Sequence, residues 1–281
     1  MIISTKIKIR GAYYLALFVS LCRKMVGLTT LADVNRRGIN WHLDLEEGID
    51  FAIYLIGSFE NRTISSYKKI LNEGDIAIDI GANMGAHTLH LAKAVGSTGE
   101  VLAIEPSIEI FAKLKENLRR NPLLESRIQT FQLMLMAEDH AKIPENIYAR
   151  WPLKGSRYAH PLHGGVAVST QGAQIKSLDS MIASTDIDKV NLIKLDVDGY
   201  EFDVLVGAKE TIKRHKPAII FEFSPYTSEE RNIEPNKILE FFETMNYSFF
   251  YLDGRPYKNS KHGLPHIKPG SSINILAKFS R

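Results

Sequence analysis

From residue 75 onward, short apolar runs rich in Ile, Val, Leu or Phe alternate with segments whose apolar positions follow helical spacing. This alternation is typical of a mostly parallel sheet with helices on both faces, so it predicts a doubly wound α/β fold. Strands are predicted at 76–80, 100–104, 128–135, 191–197 and 218–223, with a closing antiparallel pair at 247–252 and 273–279. Helices are predicted at 86–95, 108–120, 200–215 and 235–245.

Two segments do not follow this alternation. Residues 1–70 are predicted to form an N-terminal extension that packs on a core domain spanning 71–281. Residues 140–173 interrupt that domain and contain aromatic, basic and histidine side chains, including His140, Arg150, Trp151, His160 and His163. A loop this long inside a compact domain is often a functional lid, so we expect an ordered insertion on the substrate side.

A glycine-bracketed turn follows the first core strand. Gly81 comes directly after that strand, and Gly85 is predicted to open the next helix. Asn83 stands where dinucleotide-binding folds have their second glycine, and the chain has no G-K-[ST] phosphate loop. These departures favour a nucleoside ligand without a pyrophosphate. Glu105, at the end of the next strand, can accept both ribose hydroxyls, and Asp79 can orient the turn or be purely structural.

A second acidic centre lies at the end of the strand predicted at 191–197. Lys194, Asp196, Asp198 and Glu201 follow one another at the edge where open parallel sheets bind ligands. Carboxylates there can hold a cation or accept a proton. Asp198 and Glu201 also match a helix-capping box, so their role stays open, whereas Asp196 precedes the box and is the better catalytic candidate. Glu222 ends the next predicted strand and is expected at the same edge.

Composition narrows the class of protein without identifying it. The 281 residues are 44% hydrophobic and 24% charged, as in an ordinary globular protein. The single cysteine, Cys22, excludes an internal disulfide and a cysteine-rich metal site, and a reducing, cytoplasmic setting is expected. Residues 1–37 hold seven basic side chains and one acid, a net +6, while the rest carries 28 basic and 31 acidic residues, a net −3. That charge argues against a nucleic-acid-binding surface on the core.

An apolar run at 12–22 lies between basic residues near the start of the chain. It is shorter than the roughly 20 residues that a membrane-spanning helix needs. Its short length favours a helix docked on the domain's own core. A peripheral helix lying on a membrane surface and a degenerate signal-like start remain open alternatives.

Four motifs together resemble the FkbM-type methyltransferases: DIGANMGAHTLHLA, IEPS, IKLDVDGYEFDVLVGA and KPAIIFEF. The upstream segment RRGINWHLDLEEGIDFAIYLIGSFE is also similar to that family, so the resemblance runs from about residue 36 to 223. It implies a class I methyltransferase, a Rossmann-like fold with a seven-stranded sheet, that uses S-adenosylmethionine. It also implies methyl transfer to a hydroxyl group, often on a sugar or a natural-product scaffold.

The resemblance implies roles for individual positions. Asp79, Gly81, Asn83 and Gly85 would surround the methionine part of the cofactor, Glu105 would hold its ribose, and Asp196 would lie near the transferring centre. Asp198 stands where the family usually has Glu, one methylene longer. The segment IYARWPL, which contains Arg150 and Trp151, appears in some relatives and is expected on the acceptor side, with Asp198 and Glu222.

A sugar hydroxyl is a poor nucleophile and needs a base or a metal ion at the attacking oxygen. Asp196, His160 or His163 can serve as the base. The His160–His163 pair is weak support for a divalent metal, so no metal ligand is assigned.

The expected partner is therefore a small-molecule or glycan acceptor. A polyketide or a lipid-linked hydroxyl is the alternative acceptor, and the basic, apolar front end would suit the latter. A nicotinamide oxidoreductase and a non-catalytic ligand-binding protein are alternatives from other classes.

Overall fold

The N-terminal part combines helices with a two-stranded hairpin. The computed structural model describes residues 5–160, 164–257, 267 and 271–280, with side chains described from Tyr13 onward. The elements before the core are α1 (Thr5–Met25), β1 (Leu31–Arg36), β2 (Ile39–Asp44), α2 (Gly48–Ile56) and α3 (Asn61–Ile70). Strands β1 and β2 pair antiparallel, and α2 packs against them. Among the side chains of α1 that the structure describes, only Ala16 is buried, and Val19 packs beside it, whereas Cys22 is exposed.

The first half of the core alternates strand and helix as expected. Its elements are β3 (Ile76–Ile80), α4 (Thr88–Ala94), β4 (Glu100–Ile104), α5 (Ile108–Arg119), α6 (Pro122–Glu125) and β5 (Ile128–Phe131). Strands β3 and β4 are buried almost throughout, which explains their near-continuous apolar sequences. Helix α5 begins after Ser107, whose side chain accepts a hydrogen bond from the backbone of Ile110.

The insertion is more ordered than a loop. It contains β7 (Asn146–Arg150) and β8 (Val166–Ser169). The strands β6 (Leu133–Leu135) and β9 (Gln174–Lys176) flank it, and α7 (Leu178–Ala183) follows β9. Strands β7 and β8 form an antiparallel hairpin. The strand predicted at 128–135 is in fact two strands, because the chain leaves the main sheet at Gln132 and β6 pairs with β9 instead.

The second half supplies the remaining strands. Its elements are β10 (Leu192–Leu195), α8 (Glu201–Val206), α9 (Lys209–His215), β11 (Ala218–Phe223), α10 (Pro225–Glu230), α11 (Asn236–Thr244), β12 (Tyr247–Phe250) and β13 (Ile273–Phe279). The single helix predicted at 200–215 is wrong, since it divides at Gly207. A Cβ at Gly207 would lie 2.1 Å from the carbonyl oxygen of Met136, and Asp179 accepts hydrogen bonds from the first turn of α9.

Seven strands form the central sheet in the order β12-β13-β11-β10-β3-β4-β5. Strand β13 runs antiparallel to both of its neighbours, β11 and β12, which confirms the predicted closing pair. The other described strand pairs of this central sheet are parallel. This sheet confirms the predicted mostly parallel, seven-stranded α/β architecture. The strand order reverses between β3 and β10, and such reversal points open a crevice at the carboxyl ends of the strands.

Successive side chains of each strand point to opposite faces of the sheet, so the strands contribute to two apolar layers. Ile78, Ile193 and Phe221 point to one face and pack with α7, α8, α9 and α11, where Phe242 stacks on Phe221 at 4.8 Å between ring centroids. Ala77 and Leu192 point to the other face, which Tyr67 of α3 and Leu91 of α4 cover. Asp79 and Lys194 belong to this second face by register, so polar groups enter it at the carboxyl edge.

Candidate active site

A cavity of about 250 Å³ lies at the carboxyl edge of the sheet, where the strand order reverses. Residues from the ends of β3, β4 and β10 form its floor, and β6 and the inserted hairpin form its walls. Its lining includes Gly81, Asn83, Glu105, Leu133, Met134, Leu135, Tyr148, Asp196, Asp198, Tyr200, Glu230 and Arg231. The structure therefore brings together four predicted cofactor-side and catalytic positions, Gly81, Asn83, Glu105 and Asp196, in one place.

The turn after β3 is built by residues with positive φ. Gly81 has φ +80°, and a Cβ there would lie 1.8 Å from the carbonyl oxygen of Asp196, so this glycine lets β3 and β10 end side by side. Asn83 adopts the left-handed conformation with φ +48°, and its side chain donates a hydrogen bond to Ala149 O at 3.0 Å. Gly85 does not open the helix: it has φ +95°, packs against Leu114, and precedes the first residue of α4 by three positions.

Glu105 closes the turn from the neighbouring strand. Its carboxylate accepts hydrogen bonds from the backbone N–H groups of Asn83 at 3.1 Å and Ser107 at 2.9 Å. The side chain is almost fully buried, and this burial raises its pKa to about 7 even though both hydrogen bonds oppose the shift. Each carboxylate oxygen keeps acceptor capacity for a further donor, such as a ribose hydroxyl.

Asp79 lies beneath the turn and is completely buried. One oxygen accepts a hydrogen bond from Thr88 Oγ1 at 2.6 Å, while the other has no partner among the described atoms. Burial raises the pKa of Asp79 above its ordinary value, with His87 and Lys194 opposing the shift. An unpaired buried carboxylate oxygen is costly, so Asp79 fits a site that gains a donor or a positive charge when a ligand binds.

Lys194 and Asp196 form an ion pair at the end of β10. The Nζ atom of Lys194 lies 2.6 Å from Oδ2 of Asp196, and the lysine side chain is 1% exposed while the aspartate is 25% exposed. Burial alone would lower the pKa of Lys194, but the charges of Asp196, Glu60 and Asp79 raise it above its ordinary value. The lysine is therefore charged and orients a partly accessible carboxylate toward the cavity.

A buried polar chain extends from this pair toward α3, and nothing in the sequence pattern predicted it. Tyr67 Oη lies 2.7 Å from His87 Nδ1, and His87 Nε2 lies 3.4 Å from Glu60 Oε2. Burial raises the pKa of Glu60, but His87 and Lys194 outweigh it and lower the pKa to about 2. Glu60 also accepts a hydrogen bond from Asn274 of β13 at 2.9 Å. These residues are far apart along the chain and share no motif, so only the fold joins them.

The segment after Asp196 does not form the predicted capping box. Asp198 and Gly199 both have positive φ, and Tyr200 precedes α8 without a side-chain cap. Glu201 does reach back, but it accepts hydrogen bonds from Val197 N and Gly199 N, both at 3.0 Å. Asp198 instead lines the cavity, and burial together with the charges of Asp196 and Glu201 raises its pKa.

Glu222 is near this centre but does not line the cavity. It pairs in register with Asn274 and accepts a hydrogen bond from Ser272. Burial and the charges of Asp196 and Asp198 raise its pKa. Its expected position at the ligand edge is therefore displaced toward β13.

His160 of the insertion is not among the residues that line the cavity, although it contacts two that are. His160 Nε2 lies 3.3 Å from Glu230 Oε1, and its ring stands edge-on to Tyr148, a residue that lines the cavity. His163 lies outside the described residues. Nearby, Arg231 places its guanidinium 3.4 Å from the Tyr200 ring centroid and donates to Asp203. Arg231 and Tyr200 line the cavity although the sequence pattern did not single out Arg231.

Arg150 and Trp151 line a second cavity of about 250 Å³, not the one that contains Asp196. Arg150 donates to Glu47 at 2.6 Å and to Glu109 at 3.0 Å, and the backbone of Trp151 donates to Glu47 at 3.1 Å. The hydrogen bond between Asn83 and Ala149 lies on the boundary of the two cavities, since both residues line both. The predicted acceptor-side residues Arg150 and Trp151 therefore fasten the hairpin to the N-terminal part.

The candidate metal site has no support from the described residues. Within 5–160, 164–257, 267 and 271–280, no group of three or more His, Cys, Asp or Glu side chains is placed to hold a metal ion. Among the lining residues, Arg231 is a cation, and the buried ammonium group of Lys194 lies behind Asp196.

Comparisons with known proteins agree with the architecture. A family model described as the methyltransferase FkbM domain matches residues 79–249. The hexuronic acid methyltransferase AglP of Haloferax volcanii is 29% identical over 144 residues, which are 50% of this chain and 53% of that protein. The 2-O-methyltransferase NoeI of Sinorhizobium fredii is 24% identical over 170 residues, 55% of this chain and 64% of that protein.

The chain thus spans between about half and two thirds of the length of these curated relatives. Among solved structures, the FkbM methyltransferase of Methylobacillus flagellatus is similar with a TM-score of 0.43 and 19% identity, covering 76% of this chain and 48% of that one.

Proposed function

Because the chain belongs to the FkbM methyltransferase family, we propose that it transfers the methyl group of S-adenosylmethionine to a hydroxyl group of a sugar, glycan or glycosylated natural product. The observation that carries the proposal is the Lys194–Asp196 pair, which presents a carboxylate at the wall of the cavity where the strand order reverses. The names of the relatives AglP and NoeI support a sugar hydroxyl as the acceptor.

The cavity suits the proposed cofactor. Glu105 offers buried carboxylate oxygens for a ribose, and Leu133, Met134 and Leu135 offer an apolar wall for a base. Gly81 and Asn83 also line the cavity, and Asp79, with its unpaired oxygen, is buried beneath their turn, where a charged methionine part would fit. The sulfonium group of the cofactor, when bound, supplies an already activated methyl group.

Asp196 acts on the acceptor. Its carboxylate accepts the proton of the acceptor hydroxyl as that oxygen becomes the nucleophile. Lys194 holds the carboxylate of Asp196 in one orientation, so the acceptor hydroxyl that binds to it is aligned for the reaction. The walls formed by Tyr148 and Tyr200 limit the access of water to the reacting oxygen.

The insertion selects the acceptor in this proposal. Residues 146–149 line the same cavity as Asp196, and His160 packs against Tyr148 beside it. Arg150 and Trp151 contribute indirectly, by fixing the hairpin to Glu47. His160 and His163 stay candidates for the base, second to Asp196.

The test uses the full chain, isotope-labelled S-adenosylmethionine and separate panels of acceptors. Hexuronic acids, neutral sugars and glycosides carrying hexuronic acid form one panel, and polyketide alcohols form the other. Label in a sugar product at a hydroxyl position, located by mass spectrometry, supports the proposal. Label only in polyketide alcohols would overturn the sugar assignment, and thermal stabilisation by NAD but not by S-adenosylhomocysteine would overturn methyl transfer itself.

Asp196→Asn tests the catalytic role, and the exposed Asp186→Asn is its matched control. We expect Asp196→Asn to lose about 100-fold or more in kcat, because removal of a general base typically costs that much. The affinity for S-adenosylhomocysteine should change little. Full turnover by Asp196→Asn would show that another group takes the proton.

A further inference from the structure

Helix α1 leaves a large apolar surface uncovered. Nine of the seventeen large hydrophobic side chains that are exposed in the described part of the chain lie between Tyr14 and Leu31. Four of them, Tyr14, Phe18, Leu21 and Met25, are 61%, 63%, 58% and 78% exposed. Their spacing of four, three and four residues places them on one face of the helix, and we call these four residues the apolar stripe.

The opposite face of α1 attaches the helix to the domain. Ala16 is buried and Val19 packs beside it against the cluster that contains Trp41 and Phe51. Arg23 donates from Nε to Thr29 O and from Nη2 to Leu31 O, both at 2.9 Å. Since Ala16, Val19 and Arg23 follow the same helical spacing, the helix is held in a fixed orientation with the apolar stripe facing away from the domain.

Basic groups border the apolar stripe. Arg23 and Lys24 lie in the last turn of α1. Arg23 and Arg36 both approach the ring of Tyr54, at 5.9 and 5.3 Å from its centroid, so β1 carries further positive charge to the base of the helix. Arg37 follows directly after Arg36. Arg23 and Arg36 are bonded to the domain, whereas Lys24 and Arg37 are exposed. These two exposed residues, Lys24 and Arg37, are called the basic border.

The charge pattern identifies the kind of surface that would cover the stripe. The first 37 residues carry a net charge of +6, while the rest of the chain carries −3. A second copy of the chain would bring two +6 segments together, which like-charge repulsion opposes. An anionic bilayer offers apolar acyl chains to the stripe and negative headgroups to the border.

The helix lies on such a surface rather than crossing it. Within the described residues, no helix combines the length and the apolar character needed to span a bilayer. The contacts of Ala16 and Val19 with the domain also keep one side of α1 away from lipid.

We propose that the apolar stripe and the basic border of α1 dock the protein on the surface of a bilayer that contains anionic phospholipid. Tyr14, Phe18, Leu21 and Met25 enter the boundary between headgroups and acyl chains. The basic border lies among the phosphates. This docking brings the protein to membrane-attached hydroxyl acceptors but does not depend on the proposed reaction.

Flotation of the full chain with vesicles tests the proposal. One set of vesicles is phosphatidylcholine alone, and the other contains about one third phosphatidylglycerol. We expect the protein to float with the anionic vesicles and to be released progressively as the salt concentration rises, because the Debye length shortens. Binding to neither set of vesicles would overturn the proposal.

Two variants separate the stripe from the border. The double variant Phe18→Ser, Leu21→Ser removes two exposed apolar groups, and we expect at least a tenfold loss of partitioning. Its control is Leu123→Ser, which changes a 79% exposed leucine on α6. Lys24→Glu should weaken binding to anionic vesicles by several-fold, whereas the exposed Lys209→Glu should change it less.

Melting temperatures and light scattering complete the design. All four variants should keep the melting temperature of the unchanged protein within a few degrees, since each site is exposed. Equal vesicle binding by the stripe variant and by Leu123→Ser would overturn the docking surface. A dimer in solution that the stripe variant dissociates would show that a second copy, not a bilayer, covers the stripe.

Discussion

The ammonium group of Lys194 lies 2.6 Å from the carboxylate of Asp196, two residues further along the same strand end. Lys194 is also the register partner of Asp79 on the neighbouring strand. One buried cation therefore stands between the catalytic candidate on β10 and the buried acid of the glycine turn on β3. This arrangement links the side of the cavity proposed for the acceptor to the side proposed for the cofactor.

Lys194→Met should destabilise the protein by about 3 kcal/mol, because it leaves one fully buried and two partly buried carboxylates without their cation. The affected acids are Asp79, Asp196 and Glu60, all of which raise the pKa of Lys194. Urea unfolding followed by circular dichroism measures the loss. Lys209→Met, on the exposed side of α9, is the control and should stay within about 0.5 kcal/mol. Equal stability of the two variants would show that the buried charge is not needed to balance the acids.

Glu105→Gln should remove part of the pH dependence of stability. The pKa of Glu105 is raised from 4.5 to about 7 in the folded protein, so the folded state holds its proton more tightly than the unfolded chain does. This stabilisation of the folded state amounts to roughly 3 kcal/mol. It is fully present below about pH 4.5 and is lost as the pH rises through about 7. Unfolding free energies between pH 4 and 8 should therefore fall less steeply in Glu105→Gln than in the unchanged protein.

The same variant should bind S-adenosylhomocysteine roughly tenfold to a hundredfold more weakly, because a hydrogen bond to a charged group contributes about 1.5–3 kcal/mol. Titration calorimetry measures this affinity. Glu100→Gln is the matched control, since Glu100 stands at the opposite end of the same strand, β4. Unchanged affinity in Glu105→Gln would remove the assigned role of Glu105 with the ribose.

Gly81→Ala should be among the most destabilising single changes in the cavity. The new Cβ would lie 1.8 Å from Asp196 O, and the backbone has φ +80°. Gly254→Ala is a control for the cost of a positive φ alone. Gly254 has φ +90°, and no described heavy atom lies within 4 Å of the added Cβ. We expect roughly 1 to 2 kcal/mol of destabilisation for Gly254→Ala and clearly more for Gly81→Ala, measured by calorimetry. Similar losses would mean that β10 can move away from the turn at little cost.

Arg150→Met should loosen the inserted hairpin. It removes the ion pairs to Glu47 and Glu109, and Glu47 is largely buried. Because the arginine itself is partly exposed, we expect a loss of only about 1 kcal/mol, together with faster proteolysis within 140–173. Arg157 is an exposed residue of the same segment, and the protease should cut the Arg157→Met variant at the same rate as the unchanged protein. A hairpin equally resistant in both variants would assign its order to other contacts.

The sequence by itself determined the local parts of this protein. Apolar runs such as 76–80 and 100–104 can only be buried strands, and a glycine directly after the first one marks the sharp turn that the ligand edge needs. Glu105 was recognisable for the same reason, because its role depends on its distance along the chain from Gly81. These features are encoded within a few dozen residues, and the family resemblance added the expected chemistry to them.

Only the tertiary structure decided which distant side chains meet. Glu60 pairs with His87 and raises the pKa of Lys194. Arg150 binds Glu47 and lines a different cavity from Asp196, because strand register and helix packing bring them there. The gap between α8 and α9 arises in the same way, from the close approach of Gly207 to Met136. Pairings between residues 27 to 134 positions apart leave no periodicity in the sequence, since each depends on the burial of many other groups at once. For that reason the sequence predicted at which edge of the sheet the cavity lies, whereas only the tertiary structure showed which charged groups surround it.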